Sequence, residues 1–168
     1  MKGLTKRYPI AAKYRVILYH VYLQSGFLSE AKHLLLSLPP SVESESTALL
    51  SLAEESYPEA IEQYSALLYT TLVDPEHTHR LALTYASNLA LAHMYTANVQ
   101  TAISTLEPQL REPQNSKGTL PHAVYNLCTM YEIRDDQARG RKEGIMEVVV
   151  ARYGDVCGKG HFKLDSLR

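Results

Sequence analysis

A chain of 168 residues is the length of one ordinary domain and can bury a core without help from disulfides or a metal. With 45% apolar and 21% charged residues it is neither a disordered tail nor a disulfide scaffold, and a formal charge of −1 argues against nucleic-acid binding. Two cysteines, Cys128 and Cys157, suggest a reducing compartment. The longest apolar run, Val16 to Leu23, is too short to span a membrane and contains His20, and the N-terminus lacks a signal-peptide core, so a cytoplasmic chain is expected.

The apolar residues recur at three- and four-residue spacing, as in Leu81, Tyr85, Leu89 and Ala92, which predicts helices throughout. Even Val148 to Val150, the one β-rich cluster, sits at helical spacing. Breakers divide the chain. The first predicted helix covers Ile10 to Gln24 and stops at Ser25-Gly26, where glycine supplies a left-handed cap. A second covers Leu28 to Leu38 and stops at Pro39-Pro40. The third covers Glu45 to Glu55, and the fourth runs from Pro58 to Val73. Asp74-Pro75 is read as the cap and first turn of a fifth helix reaching Thr96. The sixth covers Val99 to Leu110, followed by a polar loop over 111–119. Pro121 opens a seventh helix to Ile133, and an eighth covers Ala138 to Tyr153.

A repeat runs through these helices. Leu18-Tyr19-x2-Tyr22 precedes Ala31-x3-Leu35. Thr47-Ala48-x2-Ser51 precedes Ala60-x3-Tyr64, and Leu89-Ala90-x2-His93 precedes Ala102-x3-Leu106. Leu127-Cys128-x2-Tyr131 precedes Gly140-x3-Gly144. The second small position always follows the Tyr-type position by nine residues. Small residues let paired helices approach closely, and a large one a turn away fills the adjoining groove. The pattern resembles a degenerate tetratricopeptide repeat. The expected fold is therefore all-α: a right-handed superhelix of antiparallel helical hairpins with about eight helices. It is expected to form one domain over residues 1–168, with hairpins at about 10–38, 45–73, 75–110 and 121–153 and an irregular tail over 154–168.

The two ends differ. The last helix alternates Arg139, Arg141, Lys142, Glu143, Glu147 and Arg152 with apolar residues, giving the polar outer face a terminal unit needs. The first is apolar nearly all round over Val16 to Leu23, which predicts cover on more than one side. That cover could be preceding repeats, a second copy, a partner subunit, or residues 1–9 folding back. Charge is segregated too. Residues 1–15 are net +5 without an acid, 16–133 net −8 and 134–168 net +2. The acidic run from Glu43 to Glu62 is either a solvated face or a docking surface for a basic partner.

Chemistry finds little support. His77, His79, His93, Cys128, Cys157 and His161 lack metal-site spacing, and there is no nucleophile elbow, Walker loop or dinucleotide fingerprint. No catalytic residue, cofactor or metal is expected. Peptide binding is the main alternative, as in a co-chaperone or cargo-receptor adaptor. Asn88 and Asn126 hold matching positions on first helices, where an amide could bond an extended peptide or a neighbouring helix. The cations of a carboxylate clamp are missing.

Residues 120–164 carry a further signal. The string from Val124 to Ile133, with its Asn-Leu-x-Thr-Met-Tyr-Glu core at Asn126 to Glu132, precedes a polar turn and a basic helix start, then Gly154-Asp155 and Phe162-Lys163-Leu164. It resembles the C-terminus of the subunit 12 family of the TRAPP vesicle-tethering complex. Upstream, Asn88 to Tyr95 and Ala102 to Glu107 are similar to that family's last full repeat, so the resemblance covers residues 80–165. The chain lacks the family's longer N-terminal region, and its 111–119 loop and tail differ. The resemblance implies a non-catalytic scaffold beside the large TRAPP subunits 8 and 11, peripheral to ER–Golgi membranes and active in traffic and autophagy. Nucleotide exchange on the Rab GTPase would reside in other subunits. The expected contact residues are Val16, Ile17, Tyr19 and Leu23 on the first helix and Tyr85, Asn88 and Asn126 on the concave first helices. No nucleic acid or transmembrane segment is expected.

Overall fold

The computed structural model describes residues 7–73, 79–112, 119–134 and 137–164, with no side-chain description for 7–10, 79, 80 and 155. The described residues form eight α-helices and no strand: α1 Arg7–Gln24, α2 Leu28–Leu35, α3 Pro40–Ala53, α4 Tyr57–Val73, α5 His79–Tyr95, α6 Val99–Arg111, α7 Leu120–Arg134 and α8 Ala138–Tyr153. Two short 3-10 helices follow, Gly154–Val156 and Lys159–Phe162, so the described part of the tail, to Leu164, carries helical turns.

Prolines account for most boundary differences. Pro39 ends the α2 connection in an extended conformation and Pro40 takes the first position of α3, so this helix starts five residues before Glu45. The same Pro-Pro pair that stops one helix thus opens the next. α2 ends early, at Leu35, where the Ser37 hydroxyl donates to the Leu34 carbonyl at 2.8 Å. α6 continues through Pro108, close enough to the C-terminus that one missing amide bond is tolerated. Its last turn is fastened by Arg111 and Glu107 at 2.8 Å, one helical turn apart. The proposed Asp74-Pro75 start of α5 and most of the 111–119 loop lie outside the described residues.

The chain packs as two compact units, divided within α4 between Gln63 and Tyr64. In the first, α1 packs on α2 and α2 on α3. Tyr19, Ala31, Leu38 and Leu50 form its core, with Val16, Tyr22, Leu23, Leu34 and Leu35 around them. In the second, α5, α6, α7 and α8 pack successively, the first 3-10 helix lies on α8, and the second lies on α7 and α8. Leu83, Ile103, Leu106, Leu127, Met130 and Phe162 are among its buried side chains.

The repeated small-residue positions are where the helices meet. Ala48, Ala90 and Cys128 on first helices and Ala31, Ala60 and Ala102 on second helices are all fully buried, as is Tyr19 at the equivalent place on α1. The fourth repeat departs from the pattern. Gly140 is exposed and a Cβ added there would touch nothing, so no close approach needs it. Ala138 is the buried small residue at the start of α8 instead.

The turns inside the first three hairpins share one hydrogen-bond pattern. Phe27 N–H donates to Tyr22 O at 2.9 Å and Gly26 N–H to Leu23 O at 3.1 Å. Ser56 pairs with Ser51 at 2.9 Å and Glu55 with Leu52 at 3.3 Å; Asn98 pairs with His93 at 2.8 Å and Ala97 with Met94 at 3.0 Å. Each is a Schellman closure with a left-handed residue, at φ 76° for Gly26, 60° for Glu55 and 61° for Ala97. In each, the buried Ala five residues later donates to the carbonyl just past the turn at 3.0 Å. The sequence marks only the first turn with glycine. Glu55 and Ala97 adopt a backbone that costs a side-chain-bearing residue about 1–2 kcal/mol. Glu55→Gly and Ala97→Gly are therefore expected to raise stability by about 0.5–1 kcal/mol each, after glycine's greater freedom in the unfolded chain is deducted. Urea unfolding midpoints check this.

Candidate protein-docking surface

α1 carries two apolar faces. Val16, Tyr19 and Leu23, at helical spacing, point into the first unit's core. Tyr19 is fully buried and its hydroxyl donates to the Ser46 carbonyl of α3. Burial, with the Glu54 carboxylate in support, pushes its pKa up to about 12. Tyr19 is thus a core residue and not a contact offered to a partner, and Val16 and Leu23 are half-buried against the same core. Of the four first-helix candidates only Ile17 faces outward, at 48% exposure.

Around Ile17 lies a stripe that the expected set missed. Tyr14 is 67% exposed, Leu18 41% and Val21 48%. Residues 14, 17, 18 and 21 follow the i, i+3, i+4, i+7 spacing of one helix face. That spacing is present in the sequence, but α1 is apolar nearly all round, and Val16, Tyr19 and Leu23 belong to its inner face while Ile17 belongs to the outer one. Leu18 also lines an open groove of about 350 Å³ with Tyr22, Glu30, His33, Leu34 and Ser37. The exposed cations Lys13 and Arg15 border the stripe, and Arg15 donates to the Ser37 carbonyl at 3.2 Å.

The concave candidates are engaged within the second unit. Tyr85 is buried, its ring 6.3 Å from that of Tyr64. The Asn88 amide donates to the Tyr64 hydroxyl at 3.0 Å, and the Asn126 amide to the Ser87 hydroxyl at 3.3 Å. Both asparagines bond a neighbouring helix, the alternative that the residue pattern left open.

The remaining polar chemistry holds the tail in place. Lys142 of α8 is completely buried and pairs with Glu132 of α7, while donating to the Lys163 carbonyl at 3.0 Å. Lys163 is itself left-handed at φ 51° and reaches back to the other Glu132 oxygen. Burial opposes ionisation of Glu132, but hydrogen bonds from Lys142 and Lys163 outweigh it and hold the carboxyl below its ordinary pKa. The Cys128 thiol is pushed up to about 12, chiefly by burial, and burial also raises that of Cys157. Burial lowers the pKa of His93, whose Nδ1 has no hydrogen-bond partner among the described residues. Among the described residues no three His, Cys, Asp or Glu side chains gather as a metal site, and no helix is long and apolar enough to cross a membrane.

Among the described residues the fold is all-α, built of helical hairpins, and α1 presents an exposed apolar stripe. Comparison with family models, curated proteins and solved structures finds no match.

Proposed function

We propose that this chain is a non-catalytic, tetratricopeptide-like scaffold subunit of a TRAPP-type vesicle-tethering assembly. In this reading it works by protein–protein contact beside large subunits of the 8 and 11 types, at the cytoplasmic face of ER–Golgi membranes and in autophagy, and supports activation of a Rab-family GTPase carried out elsewhere in the assembly. The observation that carries a contact role is the exposed stripe Tyr14, Ile17, Leu18 and Val21 on an otherwise packed helix. The resemblance over residues 80–165 supports the choice of assembly, and the shared turn geometry supports the repeat class. A peptide-binding adaptor is the weaker reading, because Asn88 and Asn126 are occupied by Tyr64 and Ser87. Affinity purification of the full chain from cells should co-enrich TRAPP large and core subunits. Recovery of chaperones or cargo alone would contradict the assignment.

A further inference from the structure

Beyond Tyr153 the chain folds back over the second unit. Gly154 ends α8 at φ 61° and ψ −135°, backbone that side-chain-bearing residues rarely adopt, so a glycine sets the reversal. The stretch that follows makes its own turn. The His161 N–H donates to the Gly158 carbonyl at 3.0 Å, the Lys163 N–H to the Gly160 carbonyl at 3.2 Å, and the Gly158 N–H to His161 Nδ1 at 3.0 Å. These bonds lie inside the stretch and do not depend on its contact with the helices. Among the described side chains of 154–164 only Cys157 and Phe162 are buried, with Val156 and Leu164 packed against the same core. Gly158, Lys159 and Gly160 are exposed. A segment with so few apolar anchors opens at a lower free-energy cost than α5 to α8, which supply most of the buried side chains of that core.

Its polar fastening centres on one residue. Lys142 of α8 and Glu132 of α7 form an ion pair, and Lys163 closes across both members. The Lys163 carbonyl accepts from Lys142 Nζ at 3.0 Å, while its ammonium pairs with the second Glu132 oxygen and donates to Thr129 Oγ1 at 3.3 Å. The same ammonium lies 5.3 Å from the centroid of the Tyr125 ring. Lys163 takes the left-handed conformation, at φ 51°, while both of its groups meet that pair. Lys142 is completely buried, whereas the Lys163 side chain keeps 20% exposure, so Lys163 is the half that can leave. On its departure Glu132 keeps Lys142, and no buried charge is left alone.

We propose that residues 154–164 are a charge-buckled strap that opens as one body, hinged at Gly154, while α5 to α8 stay folded. Closed, the strap covers α7 beside Thr129 and Glu132 and fills the core with Phe162; open, it bares both. The device lies inside the second unit and stands whichever assembly the chain joins.

The two native cysteines read the test without an engineered probe. Cys157 lies in the strap, Cys128 lies in α7, and both are buried. The full chain is alkylated with N-ethylmaleimide and each cysteine is followed by peptide mass spectrometry. Both should react slowly beside an exposed thiol, with Cys157 at least about tenfold faster than Cys128. Lys163→Met removes the ammonium and keeps an apolar stem. It should speed Cys157 about tenfold or more and leave the Cys128 rate and the circular-dichroism melt unchanged. Lys159→Met, which removes an exposed charge from the same strap, should change neither rate. Urea should accelerate Cys157 with a shallower slope than Cys128, because strap opening exposes less surface than unfolding of the unit. Equal rates at the two cysteines overturn the proposal, since the strap then opens only with the whole unit. A Cys157 rate indifferent to Lys163→Met overturns it as well, and so does a variant that speeds Cys128 as much as Cys157.

Discussion

Glu132→Gln is expected to lower the unfolding free energy by about 3 kcal/mol, because it removes the only carboxylate paired with the fully buried Lys142 among the described contacts. The lost partner leaves a cation inside the second unit's packing, and the Lys163 contact that pins the tail goes with it. The figure is placed at the lower end for a broken buried pair because the Glu132 side chain keeps 25% exposure. The pH dependence gives an independent check. A carboxyl whose folded pKa is depressed adds stability above its unfolded value, here the ordinary 4.5, and that contribution disappears as pH falls through the lower folded value. The wild-type chain should therefore lose stability faster than Glu132→Gln below about pH 4.5, and the two curves should converge in acid. Denaturant melts of both proteins from pH 7 to pH 3 would show it. Parallel curves separated by a constant gap would mean that the carboxylate's charge is not what Lys142 requires.

Ala102→Leu should cost about 3 kcal/mol, at the upper end for overpacking. Ala102 is fully buried at the repeated small-residue position of α6, and Ala90 holds the matching place on α5. Three added carbons have no groove to enter unless the two helices separate, and separation would uncover Ile103 and Leu106. Ser104→Leu, two residues along on the exposed side of the same helix, should change stability by less than about 0.5 kcal/mol. Urea midpoints for the two variants separate a packing constraint from a helix-propensity effect. Equal losses would place the tight contact somewhere other than the repeat register.

That register is the part of the fold most plainly written in the residues. The nine-residue offset from Tyr-type to Ala-type positions marked Ala31, Ala60 and Ala102, and all three are buried. It misled at Gly140, because glycine and alanine look alike as small residues while only packing shows which is enclosed. The left-handed turns at Glu55 and Ala97 carry no glycine, so only their equivalence to Gly26 could have revealed them. The order in the tail comes from Phe162 burial and the Glu132 pair, both long-range contacts that no local pattern encodes. The docking face was half legible. An all-round apolar helix announces cover, but which half is already inside the core depends on α2 and α3, which enclose Tyr19 and leave Ile17 outside.

The outer stripe of α1 is expected to be occupied when the chain is at work. Ile17→Cys places a thiol in that stripe, while Cys128 and Cys157 are buried with raised pKa values and stay nearly silent at pH 8. Its alkylation rate should be fast in the isolated chain and fall at least about tenfold in the affinity-purified assembly. An equal rate in both, or a slow rate already in the isolated chain, would contradict a stripe covered by a partner.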